Sequence, residues 1–307
     1  MDKTDVLLSM LLLANSRTPY RELADKLNLS ANAVHKRIQS LIGQGVIRKF
    51  TTKISLSAVQ AVTVLLYGKS EAESLGNLHE KLGKHGSIWW LTLGGGNFVI
   101  IGAYLRSVSE IESLTDYVKK EVLMPNSTVG IVWAPQSNFD ASLEKMLHSL
   151  DRQIIYALSN DSRKPIADVA EEVGATAKTV RRRLANMIDK GLIEFSIHWY
   201  PDTSNDIMST MHVRLKPDAN KEVVARILKG YFPKLLFYYQ LINIPNELLC
   251  LIWTNSMKEL KEIQQRLVDE EIVASIVPNI LYTGYIFDTW RDELVRPQTK
   301  SNQKSKD

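Results

Sequence analysis

The chain has 307 residues, 45% hydrophobic and 23% charged, the proportions of an ordinary water-soluble protein with room for more than one hydrophobic core. No apolar run approaches the ~18–20 residues of a membrane-spanning helix. A single cysteine, Cys250, leaves no disulfide framework and no cysteine-based zinc site, which fits a reducing cytoplasm.

The net charge of +4 is mild but unevenly placed. Residues 1–55 carry nine Lys/Arg against four Asp/Glu, and residues 148–200 eight against seven. Residues 56–147 carry seven against nine, and residues 201–307 fourteen of each. The positive excess therefore lies in two short segments, where phosphate contact would use it.

Leu7, Leu8, Leu11 and Leu12 keep a helical apolar spacing and predict a first helix. Asp2 and Asp5 stand where a secretory leader would carry positive charge, so this run is read as a core helix. Pro19 suits the start of a second helix, striped by Leu23, Ala24 and Leu27. Asn28-Leu29-Ser30 then supplies a residue tolerant of left-handed backbone and a good N-cap. In the third helix Val34, Ile38, Leu41 and Ile42 share one side. Asn32, Lys36, Gln39 and Ser40 lie opposite, near Ser30 and Ala33, with His35 and Arg37 flanking. Gly45 ends the helix, and VIRKFTTKI follows with the alternation of a β-wing.

QAVTVLLY (60–67) predicts a strand, residues 71–84 a helix striped by Leu75, Leu78 and Leu82, and residues 87–105 a hairpin interrupted by three glycines. Trp89 and Trp90 adjoin in the first strand of that hairpin, so one is expected to face a core and the other an interface. Stacking on a base or ligand is the alternative. Ile111, Leu114 and Val118 mark a second helix, and TVGIVW (128–133) a closing strand.

Asp151 then restarts the chain. Asp5, Ser16, Arg17, Pro19, Ala24, Val34, Arg37, Gly45 and Ile47 align without a gap on Asp151, Ser162, Arg163, Pro165, Ala170, Val180, Arg183, Gly191 and Ile193. Ile154, Ile155 and Leu158 repeat the first helix, and Gly174-Ala175-Thr176 the turn. Val180, Leu184, Met187 and Ile188 repeat the buried side of the third helix. Its opposite side carries Lys178, Arg182, Ala185 and Asn186, with Thr179 alongside and Arg181 and Arg183 flanking. LIEFSIHWY is the second wing segment. Beyond it come a strand at 209–215, a helix at 219–231, a hairpin at 236–253, a helix striped by Leu260, Ile263 and Leu267, and a strand at 276–287. The apolar-free tail 297–307 is expected to be disordered. An offset this long is no solenoid period; a whole module is duplicated.

These features resemble the Lrp/AsnC family of transcription regulators. The Asp-initiated first helix carries the likeness, with Ser16-Arg17 and Ser162-Arg163 before the second helix and the segments ELADKLNLS, DVAEEVGAT, RIQSLIGQGVI and RLANMIDKGLI. The likeness covers nearly the whole chain as two tandem copies. The fold class expected is α+β, with two winged helix-turn-helix domains (1–55 and 148–200), each followed by a ferredoxin-like βαββαβ domain (56–147 and 201–296). The resemblance implies sequence-specific binding of double-stranded DNA, sheet-to-sheet pairing of the ferredoxin-like domains, and response to a small effector. The residues expected at DNA are Ser30, Asn32, Ala33, Lys36, Arg37, Gln39 and Ser40, and Thr176, Lys178, Thr179, Arg182, Arg183 and Asn186. Arg37 and Arg183 flank the buried stripe, so bracing the wing is their other reading. Exposed strand edges could let the fused chain associate further.

Family effectors bind near a hairpin turn in which an aspartate closely follows a glycine. The corresponding stretches are Gly94-Gly95-Gly96-Asn97 and Asn243-Ile244-Pro245-Asn246, and neither holds an aspartate. Gly94, Gly95, Gly96, Asn97, Asn243 and Asn246 are the effector candidates, with turn chemistry or close backbone packing as the glycines' other reading.

No enzyme signature competes strongly. The histidines His35, His79, His85, His148, His198 and His212 lack metal-ligand spacing, and Glu171-Glu172 and Glu270-Glu271 sit on polar helix faces. No catalytic residue, metal or cofactor is expected. Two alternatives stand beside the regulator. Siroheme decarboxylases are similar in combining the same two kinds of domain, but their histidine soon after the wing is absent from SLSAVQAV, and His198 lies within the second wing. A winged-helix scaffold that binds protein is the other.

Overall fold

A computed structural model describes residues 1–133, 143–217 and 219–297. The expected disordered tail falls outside them, apart from Pro297.

Three helices open the chain, α1 (Lys3–Ala14), α2 (Tyr20–Leu27) and α3 (Ala31–Gly43). Leu8, Leu12, Leu23, Val34, Ile38 and Leu41 pack into their common core. The repeat forms α7 (Ser149–Ala157), α8 (Ile166–Glu172) and α9 (Ala177–Asp189), after a short α6 (Leu143–Met146). Here Ile154, Ile155, Leu158, Val169, Val180, Leu184 and Met187 are the core. Ile42 and Ile188, expected on the buried sides, are 38% and 47% exposed. They lie in the last helical turn, beyond the reach of the first helix's packing.

The segments after α3 and α9 form β1 (Ile47–Ile54) and β6 (Ile193–Trp199), and these pair with each other as an antiparallel ribbon. The wing strands thus tie the two helix-turn-helix units together. The remaining strands are β2 (Val62–Lys69), β3 (Ile88–Gly94), β4 (Phe98–Leu105), β5 (Thr128–Ile131), β7 (Ile207–Leu215), β8 (Leu235–Leu241), β9 (Ile244–Thr254) and β10 (Val273–Ile286). They run in the order β5-β2-β4-β3-β10-β7-β9-β8. Each half is a ferredoxin-like four-stranded sheet, and β3 joins β10 to make one sheet of both.

The outer edges also meet. The Ile242 amide donates to the Ile131 carbonyl at 2.9 Å, and the Trp133 amide to the Gln240 carbonyl at 2.8 Å. Asn243 clips the junction, accepting from the Ile131 amide at 2.8 Å and donating to the Val129 carbonyl at 2.7 Å. The edges expected to stand free for further association are thereby bonded to each other, and the expected sheet-to-sheet pairing becomes a continuous sheet turned on itself.

Helices α4 (Leu78–Leu82) and α5 (Ile111–Val122) cover the outer face of the first half, and α10 (Lys221–Gly230) and α11 (Met257–Val268) that of the second. The chain ends its described part with α12 (Trp290–Glu293). The helix expected over 71–84 shrinks to five residues. The Glu71 amide bonds the Leu123 carbonyl and Asn97 Nδ2 the Ala72 carbonyl, which hold that stretch away from helical geometry. Trp89 and Trp90 depart from expectation too. A β-bulge between Ile88 and Trp90 breaks the alternation, and the two indoles stack with centroids 5.5 Å apart.

The repeated residues Ser16 and Ser162 meet at the centre. Both are fully buried, and their hydroxyls lie 2.6 Å apart. Arg17 donates across the seam to the Ser162 carbonyl, and Arg163 Nη2 to the Thr18 carbonyl at 2.7 Å. Ser16→Ala or Ser162→Ala leaves one buried hydroxyl without its partner, so each should cost about 1–3 kcal/mol. The double variant should cost less than the two singles together, because the lost bond is shared. Urea denaturation of the four proteins checks this, and strict additivity would mean that the seam bond contributes nothing.

Candidate nucleic-acid interface

The exposed sides of α3 and α9 are built the same way. Asn28 and Gly174 take left-handed backbone (φ 53° and 64°) between the second and third helices of each unit. Ser30 Oγ then accepts from the Ala33 amide at 3.1 Å, and Thr176 Oγ1 from the Thr179 amide at 3.2 Å. These caps satisfy amides that the helix itself cannot. Gly45 and Gly191 (φ 74° and 62°) end both helices in the left-handed region.

Between cap and glycine, Asn32, Lys36, Gln39 and Ser40 are exposed on α3, and Lys178, Arg182 and Asn186 on α9. Lys36, Lys178, Arg181 and Arg182 form no ion pair among the described residues. Ala33 and Thr179 are half-buried, and the Thr179 hydroxyl also meets Thr176 Oγ1 at 3.0 Å. Ser40 Oγ accepts from Gln44 Nε2 at 2.9 Å.

Arg37 and Arg183 stand apart from this set. Arg37 Nη1 lies 2.6 Å from Asp5 and 2.8 Å from Asp2, and Arg183 Nη1 lies 3.1 Å from the buried Asp151. The aspartate that opens each unit thus fixes the third helix to the first. What these arginines brace is the first helix and not the wing, because the wing strand is engaged with its counterpart.

The effector candidates are divided between two turns. Gly94 abuts β10 so closely that an added Cβ would stand 2.8 Å from the Ile280 carbonyl oxygen, and Gly96 has φ 64°. Close packing and turn chemistry account for these glycines. Gly95 faces the Tyr282 hydroxyl, and the Asn97 amide is held by Ala72. Across the second hairpin Leu241 pairs with Ile244, so the turn is Ile242-Asn243. Asn246 is already within β9, and the Asn243 side chain is occupied by the edge junction.

A cavity of about 470 Å³ lies between the β1–β6 ribbon and the long sheet, with Met10, Leu13 and Ala14 of α1 at one side. The ribbon presents Thr51, Lys53, Glu194, Ser196 and His198 to it, and the sheet presents Trp90, Thr92 and Tyr239. Two ion pairs cross its wall, Lys53 to Asp292 at 2.8 Å and Arg291 to Glu194 at 2.6 Å. Burial disfavours the charge on Arg291, but Glu194 and its neighbours outweigh it and hold the guanidinium protonated. Burial, then the charges of Lys53 and Lys49, push His198 down to about 3, so its imidazole is neutral. Sequence reasoning missed this cavity. The alternation of β1 and β6 signals two faces, but Arg291 sits in a polar run (TWRDE) that gives no hint of burial. No group of three or more metal-ligating side chains occurs among the described residues.

Residues 1–48 match a family described as winged helix-turn-helix DNA-binding, and residues 147–188 match the AsnC-type helix-turn-helix domain. An uncharacterised helix-turn-helix-type transcriptional regulator of Pyrococcus furiosus is 32% identical over 125 residues, which are 40% of this chain and 84% of the relative. The transcriptional regulator LrpA of Pyrococcus horikoshii is 28% identical over 123 residues, 40% of this chain and 86% of its own. Among solved structures, the siroheme decarboxylase NirDL superposes with a TM-score of 0.62 at 13% identity, covering 95% of this chain and 96% of that one. That likeness is one of fold, over both halves. On the sequence of its helix-turn-helix units and of its archaeal relatives, the chain belongs to the Lrp/AsnC family of transcription regulators.

Proposed function

We propose that the protein is a sequence-specific DNA-binding regulator that acts as a covalent pseudo-dimer. The observation that carries this is the pair of capped third helices with unpaired cations, joined through a buried seam and a shared ribbon. A helix of this kind reads base edges with its N-terminal half and meets phosphates with its flanks. Lys36 and Arg182 are counterparts and serve as phosphate or guanine contacts. Arg37 and Arg183 add N–H groups left over from their aspartate pairs. Asn32, Gln39, Lys178 and Asn186 discriminate bases, with Ser30, Ala33, Ser40, Thr176 and Thr179 close to the backbone of the duplex.

Counterpart positions differ, Asn32 against Lys178 and Ser40 against Asn186. Fragments selected from a genomic pool should therefore converge on an imperfect palindrome or an asymmetric site, and recovery of perfect palindromes alone would contradict this. Lys36→Ala/Arg182→Ala should lower the slope of log affinity against log salt by about two. A single change at Asn32 or Lys178 should cost about 1–3 kcal/mol and relax selection at one base pair. Uniform loss across all sequences would reassign that residue to phosphate.

One observation favours a second reading, a tetrapyrrole enzyme of siroheme decarboxylase type. The superposition spans both halves, and the aromatic cavity holds His198. An iron-porphyrin titration decides between them. The regulator reading expects a colourless protein and no Soret shift, whereas a saturable shift lost in His198→Ala would support the enzyme.

A further inference from the structure

The charges around the cavity beneath the β1–β6 ribbon do not balance. Lys53 is matched by Asp292 and Arg291 by Glu194. His198 is held neutral by burial and then by Lys53 and Lys49. Asp202, on the turn between β6 and β7, lines the same cavity and forms no ion pair among the described residues. Its Oδ2 accepts from the Gly284 amide at 3.1 Å, an uncharged partner. Arg48 lies over the Tyr200 ring at 3.9 Å and is not paired with it. The unmatched charge of the wall is therefore a carboxylate.

What an occupant can touch follows from exposure. The cationic side chains are the sealed ones, Arg291 at 4% and Lys53 at 14%, whereas the Glu194 side chain is 41% exposed. Asp202 is half-buried, and so are the rings of Trp90 and Tyr239 that the sheet turns toward the cavity. The anchor of Asp202 adjoins one of these rings, since a Cβ at Gly284 would stand 3.9 Å from Trp90 Nε1. The face of an indole attracts a cation within about 6 Å of its centre, and a carboxylate beside it adds a full charge. An anion would meet Asp202 and Glu194 with no reachable cation, and a neutral molecule would leave Asp202 unmatched. The volume of about 470 Å³ admits a small molecule of two or three rings. We propose that this cavity binds an aromatic ammonium compound, with the cationic head at Asp202 and the rings against Trp90 and Tyr239. The site is separate from the Gly94–Asn97 and Asn243 turns, and its chemistry does not rest on the regulator reading.

Calorimetry and tryptophan fluorescence with naphthylmethylammonium as probe test this directly, with naphthylmethanol and naphthoate alongside. The ammonium compound should bind once per chain, at least tenfold tighter than the alcohol, and naphthoate should bind weakest. Asp202→Asn keeps the acceptor for Gly284 and removes the charge, so it should weaken the ammonium compound at least tenfold and leave the alcohol unchanged. Trp90→Leu should weaken the ammonium compound several-fold while the protein keeps its cooperative melting. The order of the three probes on the wild type stands as a test whether or not a variant folds. The site is overturned if the ammonium compound does not saturate at millimolar concentration, or if the alcohol or naphthoate binds as tightly. It is overturned equally if folded Asp202→Asn binds the ammonium compound unchanged. Binding of the ammonium compound without any duplex binding would sink the regulator reading and keep the site; duplex binding without it would do the reverse.

Discussion

Two hydroxyls, those of Ser16 and Ser162, fix where the halves of this chain stand relative to each other. They are the same residue of the repeat, so their contact at 2.6 Å marks a local two-fold axis. Around it each half reaches into the other: Arg17 caps the carbonyl of Ser162 and Arg163 that of Thr18. Placing two arginines so close is unfavourable, and burial and then the charge of Arg163 push the Arg17 pKa down. The arrangement holds because the guanidiniums lie against aromatic rings, Arg17 over Phe195 and Arg163 over Tyr20 and Phe50. Pro19 and Pro165 follow at once, so α2 and α8 leave the seam in fixed directions.

From that axis outward, structure becomes harder to read in sequence in proportion to how far apart its partners lie. The helix-turn-helix units were legible because their determinants are local. Caps, left-handed residues and apolar stripes sit within a few positions of one another, and the physical cost of violating them is paid in the same turn. Order and type of the sheet strands were legible for a similar reason, since the βαββαβ alternation is written in periodicity. What stayed hidden depends on long-range registration. The pairing of β1 with β6 cannot be inferred from strands that look like independent wings. Trp89 and Trp90 share a face only because a bulge stands between Ile88 and Trp90. Arg291 is buried because Glu194, 97 residues away, meets it there.

The candidate site divides along the same line. Exposed cations on α3 and α9 could be named from angle alone, since a helix face is a local property. Arg37 and Arg183 could be placed beside the buried stripe, but their partners Asp5 and Asp151 lie 32 residues away. The aspartates themselves were visible as repeated residues. Their role needed the packing of α1 on α3 to become apparent.

The cavity arises where the repeat departs from symmetry. A ribbon obeying the two-fold axis would set Phe50 opposite its counterpart Ser196. It faces Ile197 instead, because the register shifts between Ile47 and Lys49, and the extra residue, Arg48, lies over the Tyr200 ring at 3.9 Å. A one-residue slip exchanges the two faces of a strand. Lys53 therefore shares a face with Glu194 and His198, and together they roof the cavity. Between two identical subunits neither slip would be preferred, since one favourable to one partner is equally open to the other. Within one chain whose two copies differ in sequence that degeneracy is absent, because one ribbon strand carries the bulge while the other stays regular. The asymmetric chamber and the differing exposed faces of α3 and α9 thus share one physical basis, two copies of a repeat that differ in sequence within one chain.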